Sequence, residues 1–410
     1  MPHLDVDSDG DESIVPYGIK SPFHACSEVE NVLVTRSRET KNGTVKMIAM
    51  INAFRNGGTL AKFISEGLMR HILNKPLLDD LTFDIIADAD NAIELLIKTA
   101  FGNINSEYYD GVLASVVQAR ENLRQAADTE MTADCFEAME LADTKLTGGA
   151  VAVLVLMIRN RLYIANTGNS MAVVVKKFED HQKDLYVQPV TAVHEKHMTA
   201  EAQRLQKLGV NYMKVVGPTR CFGDYFRAHG YKEDPNLKDA DGRPVIVEPF
   251  VYKSELSPEK CFIMLLSPTL IQGIFLLEQR PAEYMSKVII EELSQMEPHE
   301  TLTQIVQHAL NKVHDEVENK RQSKRMANVD SSMVVVLIPL QADLDKICSS
   351  PAPLHIKNQP SYNTVSAYPD FSDFFSDNLQ MQDKRNTCPG RIESVKEMFK
   401  AKLLSSIDED

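Results

Sequence analysis

The 410-residue chain can hold one large domain with tails or two ordinary domains, and a hydrophobic fraction of 43% suits a folded core. A formal net charge of −14 argues against a nucleic-acid surface or an anionic membrane as the main partner. The N-terminus is acidic (Asp5, Asp7, Asp9, Asp11, Glu12) where a secretory leader needs a basic start, and the longest apolar run, Ala150 to Ile158, spans about half a bilayer. Residues 1–16 are therefore expected to be an acidic disordered tail. The six cysteines are scattered without a C-x-x-C pair, which suits reduced thiols in the cytoplasm and offers no zinc site.

From Tyr17 to Leu340 strand and helix patterns alternate in groups. Val45–Asn52 predicts a strand, followed by helices over Gly58–Asn74, Ala89–Phe101 and Gly111–Ala127. Three strands bunch together at Ala150–Ile158, Arg161–Asn166 and Met171–Lys176, before a helix at Ala200–Leu208. A strand at Lys260–Leu266, helices at Pro281–Ser294 and Glu300–Asn319, and a strand at Ser332–Pro339 complete the set. Strands in short connected runs, not one per helix, predict an α+β fold of antiparallel sheets flanked by helices. Beyond Leu340, Pro351, Pro353 and Pro360 break the periodicity, so 341–365 is expected to be a flexible linker and 366–410 a separate tail.

Two local patterns suggest other chemistry. Cys221 and Arg227 have the spacing used by cysteine-dependent phosphatases. Such a loop must curl its N–H groups around phosphate, and bulky Phe222, Tyr225 and Phe226 with anionic Asp224 do not suit it. His194, Glu195 and His197 resemble a ligand cluster without a third ligand, and read as a solvated loop or helix start.

Several stretches, in order, resemble the metal-dependent 2C-type serine/threonine phosphatases. TGGAVAVLVLMIRNRLYIANTGNSMAVV (147–174) is similar to that family's paired strands ending in Gly-Asp-Ser. EAQRLQKLGV (201–210) and GPTRCFGDY (217–225) resemble its Arg and Gly-Asp-Phe segments. MIAMINAFRNGG (47–58), CFIMLLSPTLIQGIF (261–275) and NVDSSMVVVLIPL (328–340) stand where it has Asp-Gly-His-Gly-Gly, Ser-Asp-Gly and a final Asp-Asn strand. The resemblance covers nearly all of 17–340 and implies a 2C-type β-sandwich of two antiparallel sheets between helical layers, with a two-metal site at one end.

Two divalent ions about 3.5–4 Å apart need anionic oxygens to offset their repulsion while they activate water. On the resemblance, Asn52 replaces the bridging Asp, Pro268 and Thr269 replace Asp-Gly, and Asn169 replaces the Asp of Gly-Asp-Ser. Near the start Glu30 is kept, Asn31 replaces an Asp, and Cys26 replaces the phosphate-binding Arg, while Asp330 matches the last Asp. A unit charge about 4 Å from a dication is worth roughly 8 kcal/mol at an effective dielectric near 20, before desolvation. Losing two such carboxylates predicts no metal pair, no cofactor and no phosphatase activity: a pseudophosphatase, not an enzyme.

The departures resemble a non-catalytic branch of the family that binds and activates a TGF-β-activated MAP-kinase-kinase-kinase. AYPDFSDFF (367–375) is similar to that branch's kinase-binding motif. Pro369 suits a helix's first turn, and Tyr368, Phe371, Phe374 and Phe375 fall on one face as an aromatic ridge that needs a groove. The expected partner is thus a kinase of that type on the C-terminal helix, with other signalling proteins on the pseudophosphatase domain and neither nucleic acid nor membrane. The ridge alone fits docking in cis as well as in trans; the tether and the resemblance favour a partner. The alternative is a divergent phosphatase with one metal on Glu30, Asp330 and waters. A phosphoprotein-binding module is disfavoured by Cys26 at the Arg position and by the acidity of the chain.

Overall fold

Apolar residues along the central strands divide by parity between two different cores. The computed structural model describes residues 16–20, 31–127, 132–177, 185–278, 280–297, 299–326 and 332–341, with Leu344 and the backbones of 4–8 and 356–357. Its strands begin with β1 (Leu4–Ser8), β2 (Tyr17–Lys20), β3 (Asn31–Thr40), β4 (Gly43–Phe54), β5 (Gly149–Ile158) and β6 (Arg161–Thr167). They continue with β7 (Met171–Lys177), β8 (Leu185–Pro189), β9 (Phe222–Gly223), β10 (Phe250–Glu255), β11 (Lys260–Leu266), β12 (Met333–Pro339) and β13 (Ile356–Lys357). The helices are α1 (Gly58–Leu68), α2 (Leu77–Asp80), α3 (Ile86–Tyr108), α4 (Ala114–Ala127) and α5 (Ala133–Leu146) on one side of the chain's midpoint. After them come α6 (Thr199–Lys207), α7 (Pro268–Phe275), α8 (Pro281–Ser294) and α9 (Leu302–Lys324).

One sheet has the order β1-β3-β4-β5-β6-β10, with β9 also on β5, and the other the order β13-β8-β7-β11-β12-β2. Antiparallel pairing prevails, and β1 and β13 each add a parallel edge. Ile48 and Met50 of β4, Val153 and Val155 of β5, and Val174, Ile263 and Val336 opposite them fill the space between the sheets. The alternate residues Met47, Ala49 and Ile51 turn outward onto α1 and α3. In the second sheet Val173, Met264 and Val335 likewise face α7, α8 and α9. Central strands buried on both faces explain the near-continuous apolar runs, and give four layers: helix, sheet, sheet, helix.

Strands β3, β8 and β10 and helix α5 have no counterpart in the sequence reading, and α3 extends well beyond Ala89–Phe101. Residues 4–8, placed by the sequence reading in a disordered tail, pair with β3; Leu-Asp-Val-Asp alternates at the period a strand requires. Ile356–Lys357, inside the expected linker, pairs with Leu185 and Tyr186 of β8. Cys26, Glu30, Asp330, Tyr368, Phe371, Phe374 and Phe375 lie outside the described residues.

The start of α1 and the start of β5 approach so closely that only glycine fits. A Cβ on Gly57 would lie 2.1 Å from the carbonyl oxygen of Gly149, an obstacle of rigid backbone. Gly57→Ala is expected to lower stability by about 1–3 kcal/mol through backbone displacement, read as a shifted denaturant midpoint with unchanged slope.

Candidate functional site

The parity that builds the inner core also aims two polar residues into the end of the sandwich. Asn31 shares a face with Leu33, and Asn52 with Ile48 and Met50, and the two asparagines are register partners on β3 and β4. Both are almost fully buried. The Asn52 amide donates to Asn31 Oδ1 at 2.7 Å, and the Ser170 hydroxyl donates to Asn52 Oδ1 at 2.9 Å. The result is a neutral relay in which both ends of the Asn52 amide are engaged.

Ser170 follows a turn between β6 and β7, where the chain passes from one sheet to the other. Gly168 sits there at φ +99°, and a Cβ would strike Val151. The turn is stitched to the segment before α6: Gly168 N–H donates to His194 Nδ1 at 3.1 Å, and His194 N–H donates back to Gly168 O at 3.0 Å. Asn169 donates to Glu195 Oε1 at 2.7 Å. His194 and Glu195 are buried, which corrects the expectation of a solvated loop. Contacts to the Gly168 turn and to Thr219, distant in sequence, cover a locally charged stretch. Burial, reinforced by Arg220, pushes the His194 ring down to about 3, so it stays neutral and accepts from the turn.

On the other sheet, Ser267 caps α7. Its Oγ accepts from Leu270 N–H at 3.3 Å and from Val334 N–H at 2.9 Å. Pro268 takes the first helical position, which its fixed φ favours, and contributes no side-chain oxygen. Asn31, Asn52, Asn169, Pro268 and Thr269 thus converge on one cavity of about 320 Å³, walled also by Phe54, Val151, Val216 and Pro218.

Four charged lining residues, Arg55, Glu195, Lys196 and Arg227, were not read from the sequence as parts of one site. Arg55 falls in the loop FRNGG after β4, held in the left-handed region at φ +55°. Arg227 is locked: Nε donates to Asp224 at 2.7 Å and Nη1 to Pro218 O at 3.0 Å. Burial pushes the neighbouring Cys221 thiol up to about 12, so neither half of a cysteine-phosphatase loop is available. Behind the cavity, Glu201 accepts from Arg204, Thr219 and Arg220; burial alone would raise its carboxyl, but the arginines hold it at about 2. That cluster fixes the 217–220 loop to α6.

The described lining does not fit a pair of divalent ions. Asn52 Oδ1 already accepts from Ser170, Pro268 has no side-chain oxygen, and three of the four charged groups described in the lining are cationic. Among the described residues, no group of three or more His, Cys, Asp or Glu is arranged to hold a metal.

The sequence pattern named Protein phosphatase 2C matches residues 98–312, more than half of the chain. The chain belongs to the protein phosphatase 2C family. A Caenorhabditis elegans protein named TGF-beta-activated kinase 1 and MAP3K7-binding protein 1 is 26% identical over 235 residues. That match covers 57% of this chain and 56% of the relative, so the chain spans about half the length of the curated relative it matches. A C. elegans sex determining protein superposes with a TM-score of 0.48 at 13% identity, over 82% of this chain and 68% of that one. Serine-threonine phosphatase 2C from Toxoplasma gondii gives a TM-score of 0.48 at 11% identity, over 79% and 96%. Among the described residues, no helix is long and apolar enough to cross a membrane.

Burial raises the Glu195 carboxyl above its ordinary value of 4.5, with the Asn169 hydrogen bond opposing. A raised acid disfavours the folded state once ionised, so the associated stability is full below 4.5 and is lost as pH climbs through the folded value. Glu195→Gln should therefore melt above the native chain at neutral pH, with the gap closing toward pH 4.5. A gap that does not change with pH would refute the assignment.

Proposed function

We propose that this member of the 2C family is a non-catalytic pseudophosphatase adaptor that binds and activates a protein kinase. The observation that carries the reading is the Asn31–Asn52–Ser170 relay, which sets neutral, mutually engaged groups where the family's chemistry calls for anions. Buried carboxylates without cations would repel one another, whereas two neutral amides attract through the hydrogen bond they share. The fold can thus persist without metals, and without a metal-activated water it has no nucleophile for a phosphate ester.

The name of the C. elegans relative supports a kinase as partner. In this reading residues 17–340 form the scaffold, 341–365 the tether and 366–410 the docking tail, in the cytoplasm. Tyr368, Phe371, Phe374 and Phe375 supply an aromatic ridge for a groove on a MAP-kinase-kinase-kinase of the TGF-β-activated type. Occupying that groove would bias the kinase's mobile elements toward the arrangement that autophosphorylates.

Two measurements test the two halves separately. Full-length chain carrying Phe371→Ala with Phe374→Ala is expected to lose kinase co-purification; undiminished capture discards the tail assignment. With millimolar Mn²⁺ or Mg²⁺ the native chain is expected to leave an aryl phosphate unhydrolysed. Metal-dependent turnover that disappears in Asp330→Ala would establish the divergent-phosphatase alternative instead.

A further inference from the structure

The two sheets have edges on the same side of the sandwich. In the first sheet β10 lies beyond β6, and in the second β8 and β13 lie beyond β7. β6 and β7 are consecutive strands joined by residues 168–170. Ala192, just after β8, exchanges two hydrogen bonds with Asn166, the register partner of Phe250 at the start of β10. The chain that follows β12 reaches this side under restraint. Gln341 Nε2 donates to Lys260 O at 3.2 Å, Leu344 is buried in the second core, and Ile356–Lys357 pairs with β8. Because β13 is parallel to β8, and β8 leads to Ala192, the chain leaves Lys357 heading for the Phe250 end of β10.

Among the described residues β10 is paired on one side only. Leu256 N–H donates to Asn160 O at 2.6 Å, one register step beyond the Glu255–Arg161 pair. Antiparallel bonding alternates, so Phe250, Tyr252 and Ser254 direct their backbone groups at β6, and Val251 and Lys253 direct theirs away. Nothing among the described residues bonds those outward N–H and C=O groups, which makes this edge a template for another strand. A lysine side chain can guard such an edge, but Lys253 is drawn onto α3, where Nζ donates to Glu94 Oε2 at 2.6 Å. Phe250, on the same strand face as Tyr252 of the inter-sheet core, is 41% exposed. An unpaired edge beside an exposed aromatic suits an extended segment that brings both backbone partners and apolar side chains.

The chain carries such a segment shortly after Lys357. SYNTVSAY (361–368) lies between Pro360 and Pro369, residues that interrupt strands, and holds Tyr362, Thr364 and Val365, which favour them. Residues 358–361, extended, reach about 13 Å, against about 10 Å between packed sheets. We propose that the open edge of β10 is the docking site of this chain's own residues Tyr362–Ser366, added as a parallel strand. The chain crosses at the Phe250 end and then runs beside β10 in the same direction, the mode in which β13 joins β8 and β1 joins β3. Its backbone satisfies Val251 and Lys253, and its inward side chains cover Phe250. The inference goes beyond the proposed function and does not depend on it: the tail is held to the body up to residue 366 whether or not a kinase takes residues 368–375.

The test is residue-resolved amide exchange on the full-length chain and on a variant carrying Thr364→Pro with Val365→Pro, both outside the described body. In the native chain the Val251 and Lys253 amides are expected to exchange at least tenfold more slowly than in the double-proline variant. The Tyr252 and Ser254 amides, directed at β6, should exchange alike in both and so report an intact β10. Phe250→Ser should weaken the protection severalfold, read against the same internal control. Unprotected Val251 and Lys253 amides in the native chain, or protection that survives the two prolines, would overturn the proposal. Protection that rises with protein concentration, together with a dimer in sedimentation, would assign the edge to a second copy and overturn it equally.

Discussion

Everything at the functional end of this molecule depends on how two register-paired asparagines are satisfied. Because β3 and β4 are antiparallel and side chains alternate, residues 31 and 52 must meet on the inner face at the mouth of the sandwich. Two carboxylates at such a position would repel unless divalent ions lay between them. Two amides can instead donate and accept in sequence, and the hydroxyl of Ser170, arriving from the turn between the sheets, completes the chain of donors. Neutral pairing at this end and a tightly packed inner face therefore come from the same strand register.

Around this relay the cavity is assembled from segments remote in sequence. The Gly168 turn, the stretch before α6 and the capped start of α7 each contribute through backbone hydrogen bonds, which fix their positions more firmly than side chains alone would. Asp224 gathers Arg55 and Arg227 from opposite sides, while Glu201 gathers Arg204 and Arg220 one layer behind. Removing one partner from such a buried group leaves an uncompensated charge, which makes these clusters rigid supports. This end of the sandwich is a well-anchored chamber walled by both polar and apolar groups.

Much of the fold was legible in the chain itself, and the reasons are physical. Strands such as Gly149–Ile158 and Lys260–Leu266 are buried on both faces, so their apolar runs are unbroken. Strand Asn31–Thr40 was missed because its second half, Thr35–Thr40, is polar and half exposed, which masks the apolar start. Helix Ala133–Leu146 buries only Ala142 and Leu146, too few to write a helical stripe. Asn31, Asn52, Asn169, Pro268 and Thr269 were singled out through the family resemblance, and they line one cavity. Glu195 and Arg55 were not, since a His-Glu-Lys-His quartet looks hydrated until distant segments cover it, and a single arginine in a loop carries no periodic signal.

The order of strands in the second sheet has a mechanical corollary. β12, from whose end residues 341–410 continue, is held on both sides, antiparallel to β11 and to β2. β2 is itself pinned to α9, where Gln307 exchanges two hydrogen bonds with the Ile19 backbone. Tension applied along β12 by anything gripping that end of the chain must slide two ladders at once, a shear geometry that breaks many bonds together instead of peeling them singly. The anchor point can bear load without unravelling the body to which it is attached.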